Sequence, residues 1–167
     1  RSGRFQHLIK RFREHTDRIF KKHGLNALGY WIPTDGSVKK RRKFVYLLQH
    51  PSRYEAYRNW TNFFNDKEWE RVMDKPEFQG LLSEKPSSIF LSPNDYSAVA
   101  RNDIEKLGGS FELRTYVVNP GKLPMLNARF RKHTTSLFNR HGIQNMSYWT
   151  PFDQPDRKDT LIYLVHH

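Results

Sequence analysis

The sequence predicts an α+β fold built from two related units, and two observations lead to this prediction. First, residues 11–33 and 129–151 are identical at eleven of 23 positions, at an offset of 118 and without a gap. Second, apolar residues in the repeated segment change from helical spacing to the alternation that is typical of strands. With 167 residues, of which 37% are hydrophobic and 14% aromatic, the chain is long enough to bury a core.

Combining the two copies gives the first half of one unit. A strand over residues 111–118 comes first, and Asn119-Pro120-Gly121 then turns the chain. A helix is predicted next, because apolar residues recur on one face, and the glycine of a His-Gly pair ends it. The apolar face consists of Phe5, Leu8, Phe12, Ile19 and Phe20 in the first copy and Leu123, Leu126, Phe130, Leu137 and Phe138 in the second.

The second half of the unit is read from the first copy. Strands are predicted over residues 25–32 and 44–49, followed by a helix that starts at Pro51 and a last strand over residues 86–91. The helix is predicted from the spacing of Tyr54, Tyr57, Trp60 and Phe64. The order strand, helix, strand, strand, helix, strand is the ferredoxin-like βαββαβ pattern.

Two tandem copies of this pattern predict a pseudo-dimeric α/β barrel. Helices cover one face of each sheet, so two units can bury their bare faces against each other. The first unit is predicted over residues 1–97, without its first strand, and the second over residues 111–167, ending after its third strand. Residues 98–110 are the predicted linker. Both copies are therefore predicted to be incomplete.

The composition excludes several classes of protein. The chain has no cysteine, which excludes disulfide scaffolds, thiol nucleophiles and cysteine-ligated metals. The longest apolar runs have five residues, whereas a membrane-spanning helix needs about 20. The net charge of +12 is uneven, because residues 1–50 carry 13 Lys and Arg against 3 Asp and Glu. A localised basic region of this kind indicates an anionic partner.

Several motifs, in their order along the chain, resemble the NIPSNAP family. The opening of its domain is similar to Glu112-Leu113-Arg114-Thr115-Tyr116 followed by Asn119-Pro120-Gly121-Lys122. Further resemblance is carried by Gly29-Tyr30-Trp31, by His50-Pro51-Ser52-Arg53, by the helix with Trp60, Phe64 and Trp69, and by Phe90-Leu91-Ser92-Pro93.

The resemblance implies a dimeric α/β-barrel fold and, from the animal members, a mitochondrial location in or facing the matrix. Those members are linked to mitophagy signalling and vesicle trafficking and have no accepted catalytic activity. The resemblance therefore implies a non-catalytic interaction or scaffold protein, and no cofactor is expected. More distant relatives of the barrel include haem-degrading and cofactor-independent monooxygenases. A small barrel enzyme of monooxygenase type is the alternative.

The candidate partner-binding residues form a basic surface in the first copy. Its centre is the run Lys39-Lys40-Arg41-Arg42-Lys43, which the second copy replaces with the neutral Asp156-Arg157-Lys158-Asp159. The fold therefore does not need this charge. Helix residues Arg11, Arg13, Arg18, Lys21 and Lys22 extend the surface. The expected partner is an acidic protein, the RNA of a large assembly or an anionic lipid surface; a basic accessory subunit of a mitochondrial ribosome or respiratory complex fits the same charge. A solvated loop without a partner is the other interpretation.

Two aromatic pairs, Tyr30-Trp31 and Tyr148-Trp149, are candidates for lining a barrel pocket. Ordinary core packing is the favoured interpretation, because no convergent charged group stands beside them. The recurring histidines at positions 15, 23, 133 and 141 are candidates for acid–base or haem chemistry. They lack the spacing and the carboxylate partners of a metal site, so neither a metal nor a catalytic residue is predicted.

Overall fold

The computed structural model describes residues 2–36, 42–98, 104–153 and 158–167. Within these segments the protein is a mixed α+β fold with two antiparallel sheets, and no closed barrel forms among them. The chain divides into two compact units, Arg1–Lys85 and Pro86–His167. No helix of the described segments is long and apolar enough to cross a membrane.

The first unit contains a long helix, a two-stranded hairpin and a shorter helical pair. Strands β1 and β2 are antiparallel, with Tyr30 opposite Tyr46. Its elements in order are α1 (Ser2–Arg11), a π-helical turn (Phe12–Thr16), α2 (Asp17–Lys22), β1 (Asn26–Trp31), β2 (Val45–Gln49), α3 (Arg53–Phe64), α4 (Lys67–Met73) and a 3-10 turn (Pro76–Phe78).

The second unit contains a four-stranded sheet with strand order β3-β5-β6-β4, in which all neighbouring strands are antiparallel. Its elements in order are β3 (Leu91–Pro93), a 3-10 turn (Ile104–Lys106), β4 (Phe111–Val117), α5 (Leu123–Arg129), a π-helical turn (Phe130–Thr134), α6 (Thr135–Arg140), β5 (Gln144–Pro151) and β6 (Thr160–His166).

The helix ends have the same geometry in both units. The backbone N–H of Leu25 donates to the carbonyl of Phe20 at 2.9 Å, and that of Ile143 donates to Phe138 at 2.9 Å. The glycine that precedes each donor has a positive φ, 70° at Gly24 and 78° at Gly142. This is the Schellman ending, which requires a residue in the left-handed conformation and therefore favours glycine, as the sequence predicted.

The hairpins share an irregularity as well. The register of β1 on β2 shifts between Ala27 and Gly29, and the register of β5 on β6 shifts between Asn145 and Ser147. These positions are 118 residues apart, as are the two π-helical turns. The same extra residue therefore bulges from the first strand of each hairpin.

Each unit has its own core between its helix and its sheet. In the first unit, buried apolar residues of α2 meet those of α3, α4 and the 3-10 turn: Ile19, Phe20, Leu25, Phe63, Val72 and Phe78. In the second unit, α5 and its π-helical turn pack on β5 and β6: Leu123, Leu126, Phe130, Tyr148, Leu161, Tyr163 and Val165.

Strand β3 differs from the sequence prediction. A strand over residues 86–91 was expected to complete the sheet of the first unit. Instead the strand is Leu91–Pro93, and it pairs with β5 of the second unit, with Ser92 opposite Thr150. Local sequence carries the strand propensity of this segment, but it does not carry the identity of a partner strand more than fifty residues away.

The buried face of helix α3 also differs from the prediction. The aromatic spacing correctly predicts helix α3, but Tyr54 and Tyr57 are each 70% exposed, and the buried stripe consists of Ala56, Asn59 and Phe63. The helix ends at Phe64, because Asp66 starts a new helix, α4, by accepting hydrogen bonds from the N–H groups of Glu68 and Trp69.

Candidate interaction surface

Most of the cations on the first helix are already paired within the first unit. Arg18 forms a two-pronged ion pair with Glu68, and Lys22 Nζ lies 2.7 Å from Asp66 Oδ2. Lys21 and Lys10 are paired in the same way, with Asp17 at 2.8 Å and Glu77 at 3.3 Å. Acidic residues of α2, of α4 and of the segments beside α4 therefore neutralise much of the positive charge of the first helix.

Arg11 is buried and does not belong to a basic surface. Its side chain is 6% exposed and lies against the rings of Phe12 and Trp69, 5.9 and 5.3 Å from their centroids. Its Nη1 donates to the sulfur of Met73 at 3.2 Å, while its Nε has no hydrogen-bond partner. Burial lowers the pKa of the guanidinium. The sequence analysis assigned Arg11 to the basic surface, whereas the structure buries its side chain within the first unit.

Arg13 remains exposed on the π-helical turn. Arg42 and Lys43 are exposed as well and precede β2. The other three residues of the basic run, Lys39, Lys40 and Arg41, lie outside the described residues, as do Asp156 and Arg157 of the equivalent loop. Within the segments that the structure describes, Arg13, Arg42 and Lys43 form no ion pair with an acidic residue.

Asp66 is a buried carboxylate that contacts three groups of the first unit. Its side chain is 5% exposed and contacts Lys22 Nζ at 2.7 Å and His23 Nε2 at 2.5 Å through the same oxygen, Oδ2. Its other oxygen, Oδ1, accepts the backbone N–H of Glu68 at 2.6 Å. Hydrogen bonds from Lys22 and His23 hold the pKa of this carboxyl far below its ordinary value. These contacts explain His23 as a structural residue that ties the end of α2 to the start of α4.

An open depression of about 310 Å³ lies beside Asp66. Its lining combines apolar side chains with three carboxylates and one lysine. The apolar residues are Phe64, Trp69 and Met73, and the charged residues are Asp66, Glu70, Asp74 and Lys67. The sequence analysis did not identify this depression. The sequence feature that could have indicated it is Asn65-Asp66, which separates two helices and leaves Phe64 exposed at the end of α3.

In the described segments, the tyrosines of the two aromatic pairs pack against other rings on the helix-facing side of their strands. Tyr148 is fully buried, and its ring stacks on Tyr163 at 5.3 Å with an interplanar angle of 21°. Tyr30 donates its hydroxyl hydrogen to Asp17 Oδ1 at 2.8 Å. Burial raises the pKa of both tyrosines. Trp31 and Trp149 point to the opposite faces of their strands, where Trp149 is 9% exposed.

Two further histidines, His15 and His166, also make structural contacts. His15 Nε2 lies 3.3 Å from Lys75 Nζ, and its ring packs on Phe78. His166 contacts Gln144 at 3.1 Å and the carbonyl of Gly108. In the described segments, no three His, Asp or Glu side chains are grouped so that they could hold a metal ion.

Comparison with known proteins adds one finding. A family model described as NIPSNAP matches residues 1–98. No curated protein and no solved structure matches the chain significantly.

Proposed function

The chain belongs to the NIPSNAP family, and from this premise we propose that it is a non-catalytic interaction or scaffold protein of mitochondria. It docks through the basic loop of its first unit on an anionic partner or a large assembly. The matrix, or a surface that faces it, is the proposed location. The partner is an acidic protein, an RNA within an assembly, or an anionic lipid surface.

The observation that carries this proposal is the uneven charge of the chain. Residues 1–50 have a net charge of +10, while the remaining 117 residues have a net charge of +2. Five consecutive cations occupy one loop, and the equivalent loop of the second unit is neutral. Because adjacent like charges repel, such a run is retained more readily where an anionic partner compensates it.

The ion pairs of the first unit reduce the number of residues that belong to the proposed docking surface. Arg18, Lys21 and Lys22 are engaged by carboxylates of the same unit, and Arg11 is buried. The docking surface is therefore proposed to consist of Lys39, Lys40, Arg41, Arg42, Lys43 and Arg13. The paired helix cations contribute to the stability of the unit rather than to docking.

We further propose that the chain contains two tandem NIPSNAP-like domains, over residues 1–97 and 111–167, that associate as a pseudo-dimeric α/β barrel. The support is local: equivalent π-helical turns, helix endings and bulges occur in both units at an offset of 118 residues. Neither cofactor chemistry nor a catalytic residue is part of the proposal.

Salt dependence of binding tests the docking proposal. Binding to an RNA oligonucleotide, to vesicles of anionic phospholipid and to polyglutamate is measured over a range of salt concentrations. For the RNA, log affinity should fall with log salt by about 0.7 per phosphate neutralised. A variant in which residues 39–43 carry the neutral mixture of the second copy should lose most of this slope. An unchanged slope for all three probes would contradict the proposal.

A further inference from the structure

The tyrosine of strand β1 is held by two groups close to the basic run. Tyr30 stacks on Phe44, with the ring centroids 5.7 Å apart and an interplanar angle of 6°. Its hydroxyl group donates to Asp17 Oδ1 at 2.8 Å. Phe44 follows Lys43 directly and precedes strand β2. The stacked rings therefore lie where the basic run enters the hairpin.

The equivalent tyrosine of the second unit, Tyr148, has different partners. It stacks on Tyr163, with an interplanar angle of 21°, and its hydroxyl group donates to Asn145. The registers of the two hairpins are the same, and they align Phe44 with Leu161. The second unit therefore has an aliphatic side chain where the first unit has the ring that stacks on its tyrosine.

The second unit is an internal control for what the fold requires. The repeat aligns Asp17 with Thr135 and Phe44 with Leu161. The helix ending, the bulge and the hairpin register are nevertheless the same in both units. The fold therefore does not depend on a carboxylate at position 17 or on a ring at position 44. Both occur in the copy whose loop carries five cations, and the copy with the neutral loop has neither.

Phe44 also contacts the helix that carries another cation of the proposed docking surface. Its ring lies edge-on against the ring of Phe12, with the centroids 4.7 Å apart. Edge-to-face pairs at this distance are favourable beyond the area that they bury. Arg13 follows Phe12 and Lys43 precedes Phe44, so one ring contact joins two cation-bearing segments that are distant in the sequence.

We propose that Phe44 is a positioning residue of the docking surface. Its ring contacts fix the end of the basic run, so that Arg42 and Lys43 are presented to the anionic partner in one position relative to Arg13. A backbone that is ordered before binding lowers the conformational entropy that binding costs. The inference rests on the docking function proposed above and adds the residue that makes the docking surface rigid.

Backbone motion in the free protein tests the positioning step without any partner. In the full 167-residue protein, ¹⁵N relaxation should give the amides of Arg42 and Lys43 order parameters near the value of about 0.85 that is typical of rigid backbone. Phe44→Leu, which copies the second unit, should lower both order parameters towards about 0.6. Phe63→Leu is the matched control. It replaces a ring of the same unit that is only 1% exposed and packs on rings of α3 and α4, so both order parameters should stay unchanged.

Binding measurements distinguish positioning from a loss of charge. The probes are the RNA oligonucleotide, the anionic vesicles and polyglutamate, and each probe that the unmodified protein binds is titrated with both variants in their folded state. Phe44→Leu should weaken binding about three- to tenfold at fixed salt concentration. For the RNA it should leave the salt slope unchanged, because the number of neutralised phosphates stays the same. Phe63→Leu should leave the affinity unchanged even though it lowers the urea midpoint.

A conservative variant, Phe44→Tyr, keeps the ring and should retain both the order parameters and the affinity. The proposal is overturned if folded Phe44→Leu keeps the order parameters or the affinity of the unmodified protein, or if it reduces the salt slope. Equal losses of affinity in Phe63→Leu or in Phe44→Tyr would overturn it as well. If the unmodified protein binds none of the three probes, the proposed docking function fails and the positioning role fails with it. A contrary result for Phe44→Leu alone leaves the docking function standing.

Discussion

Phe12 and Phe130 lie 118 residues apart and occupy the same aromatic environment in their respective units. Each ring contacts one ring from its own helix and one from each strand of its hairpin. The centroid distances are 6.0, 5.7 and 5.5 Å for Phe12 and 6.3, 5.6 and 5.3 Å for Phe130. The three equivalent partners are Phe20, Tyr30 and Tyr46 in the first unit and Phe138, Tyr148 and Tyr163 in the second. In addition, Phe12 contacts Phe44 at 4.7 Å and Phe130 contacts Tyr116 at 6.1 Å.

The two phenylalanines differ in burial, and this predicts unequal effects of truncation. Phe130 is 2% exposed, while Phe12 is half-buried. Phe130→Ala should lower the free energy of unfolding by about 3–5 kcal/mol, as is usual when a large buried side chain is removed. Phe12→Ala should cost less, because part of its ring is already in water. Urea denaturation of both variants measures the difference, and a larger loss for Phe12→Ala would contradict the burial assigned to these rings.

Gly24→Ala and Gly142→Ala form a matched pair. Both glycines have a positive φ, which costs any residue with a Cβ about 1–2 kcal/mol. At Gly142 an added Cβ would meet no atom, whereas at Gly24 it would lie 2.8 Å from Nδ2 of Asn59. Asn59 uses that nitrogen to donate to the carbonyl of Gly24 at 3.2 Å.

Gly24→Ala should therefore be the more destabilising of the two, by the additional disturbance of the Asn59 hydrogen bond. Thermal unfolding of the two variants is the measurement. Combining Gly24→Ala with Asn59→Ala should remove the steric part of the cost, so the double variant should lose less than the sum of the two single losses. Simple additivity would argue against the contact.

Asp66 should make the free energy of unfolding depend on pH in the acidic range. Its pKa is far lower in the folded protein than the value of about 3.9 expected when unfolded. The charged carboxylate therefore stabilises the fold at neutral pH. This contribution is complete above the unfolded-state pKa and is lost as pH falls from about 4 towards the lower, folded-state pKa.

Asp66→Asn should lower stability at pH 7 and should flatten the loss of stability between about pH 5 and pH 3. Urea midpoints measured at several pH values give both quantities. Glu84→Gln is the control, because Glu84 is exposed, and it should change neither. If Asp66→Asn lost as much stability between about pH 5 and pH 3 as the unmodified protein does, other carboxylates would be the cause of the acid dependence.

The ion pairs on the first helix predict which cations contribute to polyanion binding. Arg18 is held by Glu68, while Arg42 is exposed beside β2. Arg42→Gln should reduce the salt slope for an RNA oligonucleotide by about 0.7 if Arg42 neutralises one phosphate. Arg18→Gln should change the slope much less, because Glu68 already compensates this charge. Equal reductions by the two variants would mean that the Arg18–Glu68 pair opens on binding.

The sequence predicted the parts of the fold that depend on local patterns. The helix endings at Gly24 and Gly142 and the strand pairs of both hairpins follow from spacing and turn residues, and the family resemblance is confirmed by the match over residues 1–98. The pairing of β3 with β5 was missed, because a three-residue strand carries no mark of a distant partner.

The face of helix α3 was ambiguous for a different reason. Tyr54, Tyr57 and Phe64 recur at helical spacing, but so do Ala56, Asn59 and Phe63. The second set, which has the smaller side chains, is the one that is buried. The side-chain contacts of Asp66 were missed as well, since an aspartate that caps a helix looks the same in sequence whether or not a histidine and a lysine approach it.

The π-helical turns at Phe12–Thr16 and Phe130–Thr134 each accommodate one residue more than a regular α-helix would. Deleting one residue within such a turn should therefore return the helix to regular α geometry and leave the residues on either side on their present faces. A deletion in the flanking α-helix would instead rotate the residues before it by about 100°. Leu8, now 7% exposed, would then turn towards solvent. The π-helical turn is thus the place where each helix can lose a residue and keep its apolar face continuous.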